Sequence, residues 1–227
     1  MTHRRVIHHE TIQNAQPSPD FQSFHFFGTL YAFYLMYCRS EGNLQARGFE
    51  AFKYFTVQSN VFGGVMAAVW LTFAAAGRKR GKDIPRAVHL LKFAAAVSLG
   101  LTFLTVMVFL GRIYGYIPLL RGANLWFHLL VPLAAMAECV LFNREKISMK
   151  NCAAAMLPML LYAVGYLTYN LIVGRSETEP LRYDWYGFLL WGWGVGVCIF
   201  AVICGVTFGI GAALRRMNLA LRKKTRA

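Results

Sequence analysis

Long apolar stretches separated by short polar segments dominate this chain of 227 residues. A helix needs about 20 mostly apolar residues to cross the hydrocarbon core of a bilayer. Six stretches approach or exceed that length, the first being the shortest: 24–38, 55–76, 88–111, 125–142, 153–173 and 188–214. We therefore predict an all-α fold, a polytopic integral membrane bundle of six transmembrane helices.

The composition agrees with a chain that is partly surrounded by lipid. Hydrophobic residues make up 57% of the sequence and charged residues only 15%, against about 25% charged in soluble domains. The net charge of +14 comes from basic residues in short loops and a tail beside apolar spans, which membrane topology explains better than nucleic-acid binding. We expect membrane lipids as partners and no nucleic acid. The five cysteines have no disulfide or zinc spacing, and we predict no metal and no cofactor.

Lysine and arginine are distributed unevenly along the chain. If the N-terminus is inside, the inner segments hold 16 of the 24 basic residues and the outer segments hold 7. The positive-inside rule then predicts a multi-pass cell-membrane protein with both termini cytoplasmic. Residues 1–22 are polar and lack the short apolar core of a signal peptide. We predict a cytoplasmic N-terminal segment (1–22), a six-helix transmembrane domain (23–214) and a basic cytoplasmic tail (215–227).

Polar side chains inside the apolar stretches indicate a candidate site, since intramembrane polar groups are costly and usually face the bundle interior. Thr56 and His128 each follow the outer end of an inward-running helix by about one turn, a rise of about 5.4 Å, and so lie at similar depth. We predict that one pocket in the outer half gathers these two residues with further polar ones: Gln58, Ser59, Asn60, Arg112, Tyr162, Tyr166 and Asn170.

A threonine and a histidine at one depth have the groups needed for acyl transfer. A hydroxyl requires a neighbouring base to act as a nucleophile, and neutral imidazole suits that role. We predict that the Thr56 hydroxyl and the His128 ring lie within hydrogen-bonding reach. The amides of Gln58 or Asn60 would donate to the oxyanion, and an apolar tunnel between the second, fourth and fifth helices would hold an acyl chain.

The same residues also fit purely structural roles. Threonine in a transmembrane helix often bonds its own backbone one turn back, and serine, asparagine and glutamine can link neighbouring helices. Glu138 lies near the inner end of the fourth stretch, where we expect a structural role, reaching water or pairing with Arg144 or Lys146.

The string Tyr54-Phe55-Thr56-Val57-Gln58-Ser59-Asn60, followed about seventy residues later by His128 and Pro132, resembles the androgen-induced and androgen-dependent six-span membrane proteins. The likeness is greatest to bacterial members of that family.

This resemblance implies an intramembrane threonine hydrolase that cleaves lipid esters, such as fatty acid esters of hydroxy fatty acids. Thr56 would be the nucleophile and His128 the base. Long-chain lipid esters would be the substrate class. From the convergence of the polar side chains, and not from the resemblance, we predict six residues that bind the substrate or its oxyanion: Gln58, Ser59, Asn60, Arg112, Tyr166 and Asn170. The alternatives are a non-catalytic lipid-binding or transport protein and an acyltransferase that uses the same pair.

Overall fold

The computed structural model describes residues 19–39, 48–80, 83–173 and 183–224, and every regular element in them is a helix. Six helices are long: α1 Pro19–Cys38, α2 Phe55–Arg80, α3 Arg86–Tyr114, α4 Ala123–Phe142, α5 Met149–Val173 and α6 Trp193–Lys224. The prediction of an all-α fold is confirmed. Five helices, α2 to α6, are long and apolar enough to cross a membrane, whereas α1 has 20 residues but is not among them.

The helices form a bundle in which α3 is central. α1 packs on α2, α2 on α3 and α3 on α4, and α6 covers α3 and α4. α5 packs by its first turns on α6 and makes only light contact with α2 and α3. We call the end of the bundle where α2 and α4 begin the upper end, which is the predicted outer side, and the opposite end the lower end. The main core joins Phe93, Val97 and Leu99 of α3 to Val131 and Ala135 of α4.

Both α3 and α4 contain a π-helical stretch near the upper end, at Thr105–Leu110 and Trp126–Leu130. The second stretch contains His128 and is followed closely by Pro132. Proline has no N–H to donate to the carbonyl one turn earlier, which is that of His128, and its ring crowds that carbonyl. The proline therefore favours a locally widened helix at the position of the histidine.

The last helix begins at Trp193, so the prediction that the final span starts at residue 188 is wrong. Residues 183–192 form turns instead, because the Asp184 carboxylate accepts hydrogen bonds from the backbone N–H groups of Phe188 (3.0 Å) and Leu189 (2.8 Å). Gly192 has a φ of 97°, a conformation that glycine adopts without strain.

The predicted terminal segments are only partly covered by the structure. Helix α1 begins at Pro19, and the rest of the predicted N-terminal segment (1–22) lies outside the described residues. At the other end α6 continues through Lys224, so most of the predicted tail (215–227) is helical.

Candidate functional site

Asn60 links the upper half of α2 to the π-helical stretch of α4. Its side chain has no exposed surface, and Nδ2 donates to the Thr56 carbonyl oxygen (2.8 Å) and to the Phe127 carbonyl oxygen (3.0 Å). One amide nitrogen therefore holds the backbone of Thr56 beside the residue that precedes His128. Both Nδ2 hydrogens are used in this way, so in this structure Asn60 has no amide hydrogen left for an oxyanion.

The imidazole of His128 is 2% exposed and has a defined orientation. Its Nδ1 atom lies 2.8 Å from the carbonyl oxygen of Leu119, in the one-turn helix Tyr116–Leu119. A carbonyl oxygen can only accept, so Nδ1 carries the proton and Nε2 carries the free electron pair. Nε2 makes no hydrogen bond to any described residue and is thus the nitrogen able to act as a base.

Thr56 lies half-buried in the first turn of α2. Its carbonyl oxygen accepts from the Ser59 hydroxyl (3.0 Å) as well as from Asn60. Within the described residues no hydrogen bond joins the Thr56 hydroxyl to the His128 ring or to the backbone one turn back. The predicted Thr–His hydrogen bond is therefore not formed in this structure, and neither is the structural alternative.

An open cleft of about 520 Å³ lies between α2, α5 and the turns after Asp184. A tunnel was predicted between the second, fourth and fifth helices, but no residue of α4 lines this cleft. Four of the polar residues predicted for the pocket do line it, namely Gln58, Ser59, Tyr162 and Tyr166. Its principal lining residues are Phe55, Gln58, Ser59, Phe62, Tyr162, Tyr166, Leu161 and Trp185. Thr56, Asn60 and His128 are not among the lining residues. The residues predicted for one pocket therefore lie in two places. Thr56 and His128 are on one side of α2, and the cleft is on another side.

Ser59 is in contact both with the cleft and with the backbone of Thr56. It lines the cleft, its hydroxyl donates to the Thr56 carbonyl, and its oxygen lies 2.9 Å from the Thr102 hydroxyl of α3. Gln58 points to the exposed side and donates to the Phe52 carbonyl at 2.8 Å. One N–H of that amide is left for a ligand in the cleft.

Hydrogen bonds of aromatic side chains fix the upper wall of the cleft. The Tyr162 hydroxyl donates to the Lys53 carbonyl (2.6 Å) and accepts from Trp185 Nε1 (3.0 Å). Tyr166 donates to the buried Asp184 carboxylate. These bonds tie α5 to the start of α2 and to the turns before α6, although the helices themselves are in light contact.

Tyr186 lies behind that wall and stabilises the start of α2. Its hydroxyl oxygen accepts a hydrogen bond from the Phe55 N–H at 2.8 Å. Burial raises the pKa of Tyr186 well above its usual value, and burial raises the pKa of the neighbouring Tyr54 to about 12. Both phenols are therefore neutral at physiological pH.

The two remaining predicted residues, Asn170 and Arg112, are not among the lining residues of the cleft. Asn170 is buried in α5 and donates to the Tyr166 carbonyl of its own helix at 2.9 Å. Arg112 is exposed near the upper end of α3 and forms no ion pair with a described residue.

A second buried polar cluster lies in the lower half of the bundle. Lys92 of α3 forms an ion pair with Glu138 of α4, and Gln22 of α1 bridges them, donating to Glu138 and accepting from Lys92. The expectation that Glu138 reaches water or pairs with Arg144 or Lys146 is wrong, since Lys92 on the facing helix is closer and both side chains are buried.

Sequence reasoning missed this cluster, although a signal for it exists. Gln22, just before the first apolar stretch, and His25 and Thr29 within it recur at helical spacing, which predicts one polar face directed at the bundle interior. All three are buried. Among the described residues, no group of three or more histidine, cysteine, aspartate or glutamate side chains could hold a metal.

No protein-family model, curated protein or solved structure matches the chain.

Proposed function

We propose that the protein is a six-span membrane protein with both termini in the cytoplasm, and that it hydrolyses lipid esters with Thr56 as nucleophile and His128 as base. The six-span topology and the chemistry are supported by different observations.

The outward faces of the helices support a membrane location. Large apolar side chains there are well exposed, including Leu161 (64%) and Ile172 (79%) of α5 and Val202 (66%) of α6. α1 follows the same pattern, with Phe27 outward and His25 buried. Its 20 residues span about 30 Å at 1.5 Å per residue, which matches the hydrocarbon core. We therefore include α1 as the first span.

The single observation that carries the catalytic proposal is the hydrogen bond from His128 Nδ1 to Leu119. It fixes the tautomer in which Nε2 is basic, in the way that a carboxylate orients histidine in other hydrolases. The link through Asn60 keeps the first turn of α2 beside this histidine. Catalytic hydrogen bonds often shorten only when substrate binds, so we expect the Thr56 hydroxyl to reach Nε2 in the substrate complex.

The proposed reaction has two half-reactions. The Thr56 oxygen attacks the ester carbonyl carbon while its proton passes to Nε2 of His128, and that proton then leaves with the alcohol as the ester C–O bond breaks. Water next gives a proton to Nε2 and attacks the acyl-threonine, and the proton returns to the Thr56 oxygen as the fatty acid is released.

The cleft beside Ser59 is the proposed site for the acyl chain. Its volume of about 520 Å³ lies within the range of roughly 300–1,000 Å³ of small-molecule sites. A methylene that enters the cleft from water contributes about 0.8 kcal/mol, whereas a chain that enters from the bilayer gains little, because lipid tails are as apolar as the lining. The remaining amide hydrogen of Gln58 would orient the polar end.

Lipid binding without catalysis is the second candidate, because the cleft opens on a different face of α2 from Thr56. In that case the aromatic wall would hold a lipid, and Thr56 and His128 would only stabilise the bundle.

Turnover of long-chain esters by the purified protein tests the proposal. We expect hydrolysis by the wild type, loss of at least about 100-fold in Thr56→Ala and His128→Gln, and partial retention in Thr56→Ser, which keeps the oxygen. Thr72→Ala is the matched control, since Thr72 lies on the same helix and bonds only the Ala68 carbonyl. Wild-type turnover in Thr56→Ala would contradict the proposal, and an inactive wild type that binds the same esters would favour the second candidate.

A further inference from the structure

A small cavity of about 30 Å³ lies in the lower half of the bundle, where α1, α2, α3 and α4 meet. Its polar lining consists of His25, Trp70, His89, Lys92, Glu138 and Asn143. His89 and Asn143 are only half-buried and lie towards the lower end of the bundle, so the cavity is connected to the lower side of the protein. His25 lies about 9 Å along α1 from Pro19, at about 1.5 Å per residue, which places the ring inside the bundle.

The charges beside the cavity are already paired with each other. The Lys92 ammonium forms an ion pair with the Glu138 carboxylate and lies 5.6 Å from the centre of the Trp70 ring. A cation in the cavity would be repelled by Lys92 and an anion by Glu138, and either ion would lose its hydration on entering. The electrostatics therefore favour a neutral, polar occupant.

Two buried side chains that line the cavity have hydrogen-bonding groups to which no described residue bonds. His25 is 2% exposed, and neither of its ring nitrogens bonds a described residue. The same holds for the Nε1–H of Trp70, which is 1% exposed. Buried polar groups in proteins are almost always hydrogen-bonded, either to the protein or to ordered water. A neutral imidazole has one donor and one acceptor, so whatever binds His25 must be able both to donate and to accept.

We propose that this cavity is a hydration site, in which about two water molecules bind the neutral ring of His25 and the indole N–H of Trp70. A bound water molecule needs about 10–15 Å³ of cavity, so the volume of about 30 Å³ accommodates two and excludes a lipid head group. One water donates to the bare ring nitrogen of His25, and another accepts from the ring N–H and from Trp70. The site is distinct from Thr56 and His128, and it does not depend on the proposed hydrolysis.

The bound water connects two helices through side chains that do not bond each other. His25 belongs to α1 and Trp70 to α2, and no hydrogen bond joins them. Water also satisfies the ring while the ring stays uncharged beside the Lys92 ammonium. The titratable groups that line the cavity with His25 are His89 and Lys92 of α3 and Glu138 and Cys139 of α4. Since the Glu138 charge is already balanced by Lys92, it does not favour a proton on His25.

Solid-state NMR of the full-length, ¹⁵N-labelled protein in lipid bilayers tests this site. We expect magnetisation from water to reach both ring nitrogens of His25 and the Nε1 atom of Trp70. The backbone amide of Val97 is the internal control and should receive none, because Val97 has no exposed surface and lies in the main apolar core. His25→Phe and Trp70→Phe assign the side-chain signals by their disappearance. At about pH 5.5, where a free imidazole is mostly protonated, the His25 ring should still have one protonated and one bare nitrogen.

A variant that fills the cavity tests where the water lies. Ala95 of α3 lines the cavity, so the larger side chain of Ala95→Val should displace the water and cause loss of the magnetisation transfer to His25 and Trp70. Ala201→Val is the matched control, since Ala201 is exposed on α6, and it should leave the transfer unchanged. A wild-type His25 ring that receives no magnetisation from water, or is an imidazolium at about pH 5.5, would overturn the proposal without any variant. Unchanged transfer in folded Ala95→Val would also overturn it, because the water would then lie outside this cavity.

Discussion

The side-chain amide of Asn60 donates to the main-chain carbonyl of Phe127 at 3.0 Å, across the interface between α2 and α4. This bond joins the first turns of α2 to the residue before His128. The Phe127 carbonyl belongs to the π-helical stretch Trp126–Leu130. The Asn60 bond and the buried apolar cluster that contains Val57 and Phe127 together set the position of Thr56 relative to His128.

Asn60→Leu should destabilise the protein and also reduce ester hydrolysis. The substitution preserves the approximate volume but leaves the Phe127 carbonyl without a partner, at a cost of about 1–3 kcal/mol. Thermal unfolding in detergent and turnover measure the two effects. Thr72→Ala should change neither, because its hydroxyl bonds only its own helix. Wild-type stability and activity in Asn60→Leu would show that the link is dispensable.

Gly63→Ala should disturb the packing of α1 and α3 on α2. A Cβ atom at Gly63 would lie 2.8 Å from His25 Nε2 and 2.8 Å from Leu99 Cδ1, so these two buried side chains must shift. We expect a loss of about 1–3 kcal/mol in the free energy of unfolding. Gly205→Ala is the matched control, since no atom lies within 4 Å of a Cβ there, and it should be neutral or stabilising by up to about 1 kcal/mol. Equal effects of the two substitutions would contradict this packing.

The helices could be predicted from the sequence because apolar length and charge distribution are local properties. The starts of α2 and α4 are correct to within two residues, and the depth argument correctly brought the first turn of α2 close to His128. The start of α6 could not be predicted, since it depends on Asp184 accepting two backbone hydrogen bonds. The sequence stays mostly apolar through these turns, so hydropathy does not show where the helix begins.

The site was harder to predict than the fold. The depth of a residue along its helix does not predict the direction in which its side chain points around the helix axis. That direction places Ser59 at the cleft and Asn60 against α4. Lys92 and Glu138 could have been paired in advance, because two opposite charges inside apolar spans are costly unless they meet. That neither ring nitrogen of His25 bonds a described residue follows only from three-dimensional packing.

Lys92→Met and Glu138→Leu should each destabilise the protein by about 3–5 kcal/mol, because each leaves a buried charge without its partner. The double variant should recover much of that loss, since no charge then remains at the interface. Chemical denaturation of the three variants measures the coupling. Additive losses in the double variant would contradict a buried pair, as would single variants that are as stable as the wild type.

Asp184→Ala should loosen the turns before α6 without unfolding the bundle. The carboxylate accepts from Tyr166 and from two backbone N–H groups, and hydrogen exchange of the Phe188 and Leu189 amides should become faster. Tyr166→Phe removes only the side-chain bond and should leave those two amides protected. Unchanged exchange in Asp184→Ala would show that the turns are held by other contacts.

Mapping of a covalent fluorophosphonate adduct tests the central claim most directly, because it identifies the nucleophile without knowledge of the natural substrate. The purified protein is treated with a long-chain fluorophosphonate, and its peptides are analysed by mass spectrometry. The account predicts one adduct on Thr56, lost in Thr56→Ala and strongly reduced in His128→Gln, because the hydroxyl then lacks its base. An adduct on Ser59 or any residue other than Thr56, or no adduct on a protein that hydrolyses esters, would contradict it.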